Sequence, residues 1–494
     1  MTQDKESVKP VIDDAAANFI PSITAATAAI NMMKHDVKFN REIMPVQTAQ
    51  ALVLERVQRG FIECVPLEQA YGRHLAEEAV SNRPVPHFRR SIMDGYAVIA
   101  MDTSRTDTSN PIMLQVIGEV PCGSVWNGEL RQGQAIRIMT GAQVPDGADA
   151  VVRLEWTTTV ESTAVCDDSN DEIYEVLARP GDADGDVSCS TLPMSEVAQH
   201  VQSRQVIAVH QAVKSGEAIH GIGTEMQAGE VLVQRGQRIG AGEMGLLAMF
   251  GYAHVQVFRR PQVAILSTGE ELLSLDEELT PGKIYNSNSY ILLAQIESAG
   301  AIPHLLPHIP DDIRTLRERL DEAMEQYDVV ITTGGVSVGD YDLLYEYTTN
   351  WDGDLLFNKV KMRPGSPTTV GFRHSKPLFA LAGNPAACYV GCELFVRPTL
   401  LRMQGVEEPL PKPITAVLTE AYRVRDTFDR YVRAVLTITD EGHAEVRPTR
   451  ADISSATVSI RDANCLFLSP ASQVGMEAGA LVQVFPLGGL QELK

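Results

Sequence analysis

The sequence lacks the features that mark membrane-spanning and secreted proteins. No uninterrupted apolar run reaches the roughly 18 residues that a helix needs to cross a bilayer. The first apolar stretch, Phe19–Met33, follows acidic residues rather than the basic segment of a secretory signal. We therefore expect neither a transmembrane helix nor a signal peptide.

Basic residues are few. The 42 Lys and Arg stand against 64 Asp and Glu, which gives a formal net charge of −22. Nucleic acid and anionic membrane surfaces both need a positive footprint, so we expect neither as the main partner. An acidic chain can still bind a small anion, but only through a local positive pocket.

Several catalytic and metal motifs are also missing. The seven cysteines form no C-x-x-C pair, so a zinc ribbon or a thioredoxin-like site is not expected, and their scattered use predicts a reduced, cytoplasmic setting. There is no G-x-x-x-x-G-K-[ST], no H-E-x-x-H, and no G-x-G-x-x-G between a strand and a helix. These absences disfavour the standard NTPase, zinc protease and dinucleotide dehydrogenase classes.

At about 150 residues per domain, the length of 494 residues predicts three to four domains. Residues 1–43 show no period and no motif, and we predict an N-terminal extension that packs loosely or is disordered. A helix around 51–57, a strand at 62–65 and a helix at 67–79 follow. From Pro84, short alternating runs separated by turn residues predict a β-rich barrel or sandwich.

The stretch 157–217 is unusually acidic. Nine acids lie between Glu161 and Asp186, against the single Arg179. This charge pattern predicts a solvated surface insertion, whose tail at 203–213 could contribute a strand.

Residues 261–403 alternate between strands and helices. Strands are predicted at Val263–Ser267, Ile302–Ile309, Val329–Thr333 and Leu378–Leu381. Asn286 and Asn288 are predicted to cap one helix, and Asp311 and Asp312 to open the next. The alternation predicts right-handed crossovers and a mostly parallel sheet, and short strands after Pro411 predict a last β domain.

Three carboxylates follow three of these strands: Glu271, Asp311 and Asp342. Parallel strands bring their carboxyl ends to one edge, so the three side chains are expected to meet there. Carboxylate oxygens suit Mg²⁺, which keeps water for substrate phosphates. The alternative for Asp311 or Asp312 is a helix N-cap.

Glycine-rich turns and a basic cluster favour an anion at the same edge. Thr332–Gly339 and Gly383–Pro385 let backbone N–H groups approach an anion. Lys359, Lys361 and Arg363 would supply local positive charge. Other interpretations remain open: a Gly-Gly turn after a strand is common, Asp94-Gly95 is typical of a β-turn, and Cys388 and Cys392 are expected to be buried on one helix face.

Several motifs together resemble a known family. Thr332-Thr333-Gly334-Gly335-Val336-Ser337-Val338-Gly339, followed by Asp342, resembles the molybdopterin-binding signature. Ser91-Ile92-Met93-Asp94-Gly95-Tyr96-Ala97 resembles the S-x-M-D-G-Y-A signature of molybdopterin molybdenumtransferases, the family that includes the E domain of gephyrin. Ile136–Ala142 with Val144-Pro145, Ser267–Leu272 and Gly383–Pro385 are further matches in the family's order.

The resemblance covers roughly residues 44–494 and implies a multi-domain α/β plus β fold in an elongated chain. It implies a mostly parallel α/β molybdopterin-binding domain with β-rich domains before and after it. The predicted domains are a linker or dimerisation subdomain of 44–85 and 219–260, a β-rich subdomain of 86–218 with the insertion, the α/β domain of 261–403, and a β-barrel-like domain of 404–494.

The resemblance also implies the reaction. Molybdenum from molybdate enters adenylylated molybdopterin with Mg²⁺, and AMP leaves, in molybdenum cofactor biosynthesis. A homodimer is implied, with a composite active site in which Asp94 comes from the partner subunit, and the upstream adenylyltransferase is a candidate partner. No nucleic acid and no membrane partner is expected.

The motifs carry specific site residues. The catalytic candidates are Asp94, Thr140, Glu225, Glu271, Asp311 and Asp342. The cofactor-binding candidates are Ser267, Thr268, Gly269, Thr333, Gly334, Gly335, Ser337, Lys359, Arg363, Gly383, Asn384 and Pro385. Glu271 and Asp342 are also the candidate metal ligands.

Three positions depart from the family pattern. A basic run followed by R-G-x-D is replaced by His220–Glu225, in which Glu225 takes the place of the acid. Ala382 stands where a second pterin-site proline is usual, and Ser366 where a basic residue often follows the Pro-Gly turn.

Two other functions compete with molybdenum insertion. The preceding adenylylation step typically needs only the α/β domain, so the extra β domains speak against it. A gephyrin-like scaffold would need a further assembly domain, and the chain has no second T-T-G-G signature and no long low-complexity linker.

Overall fold

The computed structural model of the chain describes residues 43–160, 162–166, 173–177, 191–192, 205–310, 312–334, 343–450 and 453–487. The chain divides into two compact units, one of Ala79–Leu232 and one of Met1–Glu78 with Val233–Lys494. Apart from Ile43, the predicted extension at 1–43 lies outside the described residues.

The larger unit starts with helix α1 (Val46–Arg56) and strand β1 (Ile62–Pro66), as the sequence predicts. The helix predicted at 67–79 is wrong: only a short 3₁₀ turn forms, at Leu67–Gln69. Gly72 takes a left-handed φ of 77°, and its N–H donates to Ile239 O at 2.8 Å. Tertiary hydrogen bonds therefore replace the helical ones in this segment.

The smaller unit is built almost entirely of strands. In chain order these are β2 (Ala79–Val80), β3 (Arg90–Ser91), β4 (Gly95–Val98), β5 (Ile112–Val120), β6 (Gln134–Ile138), β7 (Ala150–Arg153), β8 (Thr157–Val160), β9 (Ser162–Cys166), β10 (Ile173–Leu177), β11 (Thr191–Leu192), β12 (Val206–Val209), β13 (Ile219–His220) and β14 (Val231–Val233). Six of them form the main sheet in the order β7–β4–β6–β5–β12–β8, and β11–β10–β9 form a second sheet. β3 pairs with β13, and β2 with β14.

The tail of the predicted acidic insertion contributes a strand, β12, as the sequence predicts. Its start, at β8, also belongs to the main sheet rather than to a surface insertion. β8 and β12 pair antiparallel, and Val160, Ile207 and Val209 are buried. Ile207 and Val209 alternate along β12 and fill one face of the sheet. The acidic composition of 161–186 therefore does not extend to the strands on either side of it.

The larger unit resumes with α2 (Ala241–Met249) and β15 (His254–Phe258), which pairs antiparallel with β1. The α/β region then contains the strands β16 (Gln262–Ser267), β17 (Leu272–Leu273), β18 (Ile284–Tyr285), β19 (Ile302–Leu305), β20 (Val329–Thr333), β21 (Asp354–Phe357), β22 (Met362–Arg363), β23 (Thr369–Arg373) and β24 (Lys376–Leu381). Its helices are α3 (Asn288–Ser298), α4 (Ile313–Gln326), α5 (Leu343–Thr349), α6 (Pro385–Gly391) and α7 (Arg397–Met403), with a π-helical segment at Cys392–Val396 between the last two.

The predicted mostly parallel sheet is confirmed. Its order is β19–β16–β20–β24–β23–β21, and the first four strands run parallel. Both faces are buried, because Ile265 and Ile331 face one core and Ala264 and Val330 the other. Helices cover both faces, as a near-continuous apolar strand pattern requires.

The predicted C-terminal β-barrel is also confirmed. Its strands are β25 (Ile414–Leu418), β26 (Asp429–Ile438), β27 (Ala444–Pro448), β28 (Cys465–Ser469) and β29 (Leu481–Pro486), and helix α8 spans Val458–Asp462. The pairings β26–β27–β25–β29–β28–β26 close a ring, and β22 adds to β26 in parallel. No helix in the described parts of the chain is long and apolar enough to cross a membrane.

Gly405 should be essential to the packing of the larger unit. It has a φ of 84°, and a Cβ there would collide with the ring of Phe258, which is only 2% exposed and cannot move aside. We expect Gly405→Ala to lower the free energy of unfolding by about 3 kcal/mol or more, through overpacking added to backbone strain. Urea unfolding followed by circular dichroism measures this loss.

Gly251→Ala is the matched control. Gly251 has a similar φ of 80° but no atom within 4 Å of its would-be Cβ. Only the strain remains, so a loss of about 1 kcal/mol is expected. Equal losses in the two variants would contradict the packing argument.

Candidate active site

The loops after three parallel strands meet closely at the carboxyl edge of the sheet. Thr268 N donates to Thr333 O at 3.0 Å, which joins the ends of β16 and β20. Gly334 has a φ of 86°, and a Cβ there would collide with the Thr268 carbonyl oxygen. A Cβ at Gly383 would lie 3.4 Å from the Gly334 Cα. Glycine at position 334 is therefore required by the approach of the loops, while the contact at Gly383 is an ordinary van der Waals one.

The side chain of Asn288 links two of these loops by hydrogen bonds. Its Nδ2 donates to Thr333 Oγ1 at 2.8 Å and to Gly383 O at 2.7 Å. The prediction that Asn288 caps its helix is wrong, since Ser287 is the N-cap residue. Asn286 precedes the N-cap residue, but its Oδ1 accepts from Ser289 N at 3.2 Å, so it satisfies one backbone donor of the first turn. Asn288 is thus a structural residue of the site that the sequence assigned to helix capping.

Unpartnered polar atoms lie at the same edge. Within the described part of the chain, neither Asn288 Oδ1 nor Thr268 Oγ1 has a hydrogen-bond partner, although both are buried. Buried polar atoms rarely lack a hydrogen-bond partner, so these two atoms are candidates for contact with a ligand. Ser267 is already engaged, since its Oγ accepts from Asn286 Nδ2 at 2.8 Å.

Glu271 folds back over its own loop. Gly269 has a φ of 145°, and a Cβ there would lie 2.5 Å from Glu271 Oε2. The Glu271 side chain is exposed, and its backbone oxygen accepts from Ile284 N at 2.8 Å. The carboxylate therefore lies over Gly269, in the loop that follows β16.

Four predicted site residues lie outside the described residues: Asp311, Gly335, Ser337 and Asp342. Asp312 is the N-cap of α4, with Oδ2 accepting from Thr315 N at 2.8 Å. Among the described residues, no group of three His, Cys, Asp or Glu side chains could hold a metal ion. The predicted convergence of three carboxylates stays a prediction.

A cavity of about 490 Å³ lies beside these loops, where the sheet edge faces the barrel. Arg363, Arg430 and Arg433 line it, together with Asn384 and Ser454. Three guanidinium groups and no acidic side chain are among the described residues of its wall. The cavity therefore fits an anion, which agrees with the predicted role of Arg363.

Each arginine is held in place. Arg433 is fully buried, with Nε donating to Ser459 Oγ at 2.8 Å and Nη2 to Ile453 O at 3.1 Å. Arg430 Nη1 pairs with Asp426 at 2.7 Å. The Arg363 guanidinium lies 5.4 Å from the centre of the Phe428 ring. Such fixed guanidinium groups suit recognition of oxyanions.

Sequence reasoning missed Arg430 and Arg433. The available signal was an arginine enclosed by the apolar run of β26, where an unpaired charge would not be tolerated.

The predicted Lys359 is half-buried and is not part of the cavity wall, while its backbone oxygen accepts from Met44 N at 3.1 Å. Ser366 is buried and donates to Val360 O at 2.7 Å, so it stabilises the turn.

Asn384 and Pro385 open helix α6. Asn384 is the N-cap residue, Pro385 occupies the first turn, and Cys388 N donates to Asn384 O at 2.9 Å. Ala386 N donates to Ser454 O at 3.0 Å, which links this helix start to the barrel. Cys388 and Cys392 are buried, as predicted.

In the smaller unit, Asp94 and Thr140 contact each other directly. Asp94 Oδ1 accepts from both Thr140 N and Thr140 Oγ1 at 2.7 Å. These bonds, the backbone one first, hold the pKa of Asp94 below its ordinary value. Gly95, which follows, allows no Cβ because it would collide with Val152 O. Asp94 thus belongs to a cross-strand hydrogen-bond pair and remains ionised near neutral pH.

Two further residues of the smaller unit, Cys122 and Glu225, have side-chain contacts within that unit. Cys122, which the sequence analysis did not single out, has an exposed thiol that donates to Thr140 O at 2.8 Å. Glu225 forms an ion pair with Arg90 at 3.4 Å. This pair is exposed, so its contribution to stability is small.

A parallel sheet with glycine turns at one edge and guanidinium groups beside it is an arrangement typical of proteins that bind small anionic ligands. Residues 44–251 match the MoeA N-terminal region (domain I and II), 264–402 a probable molybdopterin binding domain, and 415–487 the MoeA C-terminal region (domain IV). The chain belongs to the molybdopterin molybdenumtransferase family, as its motifs predict.

Individual relatives agree with this assignment. The molybdopterin molybdenumtransferase of Bacillus subtilis is 39% identical over 90% of this chain and 94% of its own length. That of Staphylococcus aureus is 36% identical over 90% of this chain and 96% of its own. A crystal structure of the molybdopterin biosynthesis MoeA protein from Pyrococcus horikosii has a TM-score of 0.70 at 28% identity, and covers 90% of this chain and 99% of that chain.

The hydrogen bond from the Thr140 hydroxyl should contribute to the lowered pKa of Asp94. We expect Thr140→Val to raise the pKa of Asp94, because one of its two hydrogen bonds is lost, yet leave it below the ordinary value, because the backbone N–H remains. Carboxyl ¹³C chemical shifts titrated against pH measure this. Folding lowers this pKa, so the stabilising effect is complete above the unfolded-state pKa and is lost as the pH falls through the folded-state pKa.

Thr140→Ser keeps the hydroxyl and serves as the control. Its Asp94 pKa should stay near that of the wild type. A Thr140→Val pKa indistinguishable from the wild-type value would show that the hydroxyl contributes nothing.

Proposed function

We propose that this protein inserts molybdenum from molybdate into adenylylated molybdopterin and releases AMP. The observation that supports this best is the arginine-lined cavity beside the glycine turns. The substrates carry a pyrophosphate bond and an oxyanion, and both need neutralisation of negative charge. Cleavage of a phosphoanhydride depends on charge neutralisation and positioning more than on a protein nucleophile.

In the proposed reaction, different residues of the larger unit would bind the oxyanions and orient the substrate. Arg363, Arg430 and Arg433 would bind oxyanions in the cavity, while the turns at Gly334 and Gly383 bring backbone atoms close to the substrate. Thr268 and Asn288 offer unpartnered polar atoms that would orient it. Because these groups are fixed by neighbours, they need little rearrangement as charge develops.

We further propose that Glu271 and Asp342 hold Mg²⁺. Both would supply carboxylate oxygens, which a hard cation prefers as ligands. When bound, Mg²⁺ would neutralise phosphate charge. Glu271 itself would position the phosphoanhydride against the sheet edge.

Asp94, Thr140 and Glu225 would act from the partner subunit of a homodimer. This part of the proposal comes from the family resemblance, and the ionised Asp94 supports it. We also propose a cytoplasmic location and an encounter with the upstream adenylyltransferase, which supplies the adenylylated substrate.

Loss of the proposed carboxylates should stop the reaction. We expect Asp342→Asn and Asp94→Asn each to lower kcat about 100-fold, since each removes a fixed charge from the reacting centre. The assay measures AMP release and cofactor formation together, with molybdate, with and without Mg²⁺. Removing Mg²⁺ should lower both products in the wild type.

Glu278→Gln is the matched control, because Glu278 is an exposed acid of the loop that follows Glu271. It should retain the wild-type rate. Near-wild-type turnover in both active-site variants, with the fold retained, would refute the assignment. AMP release that does not depend on molybdate would point to a different reaction.

A composite site predicts complementation between inactive variants. In a mixed dimer of Asp94→Asn with Asp342→Asn, one of the two sites contains both wild-type residues. After random subunit exchange, about a quarter of the wild-type activity should return. If each site were built from one subunit, mixing would restore none, so the measured rate distinguishes the two arrangements.

A further inference from the structure

A second cavity, of about 640 Å³, shares no residue with the arginine-lined one. It is an open groove lined by helix α3, by the end of helix α6 with the π-helical segment, and by helix α8 of the barrel. Tyr290, Tyr389, Ile460 and Leu487 provide aromatic and apolar wall. Its size lies in the range of small-molecule sites, which combine apolar walls with a few polar groups.

Two buried acceptor groups line this cavity. Gln295 is 6% exposed, and its Nε2 donates to Tyr389 O at 3.1 Å and to Glu393 Oε1 at 2.8 Å. These two carbonyl and carboxylate acceptors fix the orientation of the amide. Gln295 Oε1 is then left without a donor among the described residues.

Glu393 is placed here by the π-helical segment Cys392–Val396, an arrangement that often accompanies functional sites. Its side chain is 11% exposed, and the Nε of Arg397 lies 3.9 Å from Oε2, beyond hydrogen-bond distance. Arg397 Nη1 instead donates to Ser298 Oγ at 2.8 Å. Burial raises the pKa of Glu393, with Arg397 and Gln295 only partly opposing it.

We propose that this cavity binds an organic cation, a planar amidinium or guanidinium group carried on a flat or apolar body. Glu393 and Gln295 Oε1 offer adjacent acceptors to the parallel N–H donors of such a group. The rings of Tyr290 and Tyr389 suit the body and add cation–π attraction. The proposal is independent of the proposed reaction, because none of these residues belongs to the catalytic machinery described above.

Benzamidine is the probe, with benzamide as its uncharged counterpart. Titration of the full-length wild-type protein, followed by calorimetry or ligand-observed NMR, should show saturable benzamidine binding in the millimolar range. Benzamide should bind at least about tenfold more weakly, because it lacks the charge. Glu393→Gln should weaken benzamidine binding about tenfold or more for the same reason.

Glu297→Gln is the matched control, an exposed acid on helix α3 that does not line the cavity. Its benzamidine affinity should equal that of the wild type. Absence of saturable binding to the wild type, equal binding of benzamide, or unchanged affinity in Glu393→Gln would each overturn the proposal.

Glu393 is buried, so Glu393→Gln could fail to fold. Tyr290→Ala then decides the matter, because Tyr290 is 46% exposed and its removal leaves the core intact. Weaker benzamidine binding in Tyr290→Ala supports the site, and unchanged binding overturns it.

Discussion

The close approach of the loop after β20 to the loop after β16 is the constraint on which the candidate site depends. A side chain at Gly334 would collide with the Thr268 carbonyl, so these loops meet only because Gly334 has none. Asn288 then bonds to the end of β20 and to Gly383 with a single amide nitrogen. Gly334 and the side-chain amide of Asn288 thus hold the ends of three strands in contact, so that they form one continuous surface.

Local charge at this surface opposes the charge of the whole chain. The net charge is −22, yet three arginines line the cavity beside the loops, and no described acidic residue shares that wall. The field near an anion depends on the closest fixed charges, because salt screens distant ones within about 10 Å. A strongly acidic protein can therefore hold an anion, provided that its basic groups are concentrated and fixed.

The sequence predicted the parts of the fold that depend on local pattern. The apolar run Val329–Thr333 forms a strand with those bounds, and Asp312 caps the next helix. The predicted helix at 67–79 failed, because distant backbone groups such as Ile239 O take its hydrogen-bond donors. Arg433 was missed for a related reason. It lies in the cavity wall only because the barrel packs against the start of helix α6, where Ser454 contacts Ala386. Local sequence patterns do not reveal such contacts between residues far apart in the chain.

The barrel is therefore part of the anion-binding cavity. Burial of a guanidinium is costly unless it is hydrogen-bonded, and the segment at Ile453–Ser459 supplies a hydroxyl to Nε and a carbonyl to Nη2 of the buried Arg433. The same segment gives Ser454 to the cavity wall and bonds to Ala386 of the α/β region. Arg430 and Arg433 both come from β26, so the α/β region alone would keep only Arg363 of the three cations. An α/β domain without this barrel would therefore lack two of the three guanidinium groups that line the cavity, so the cavity requires both parts of the chain.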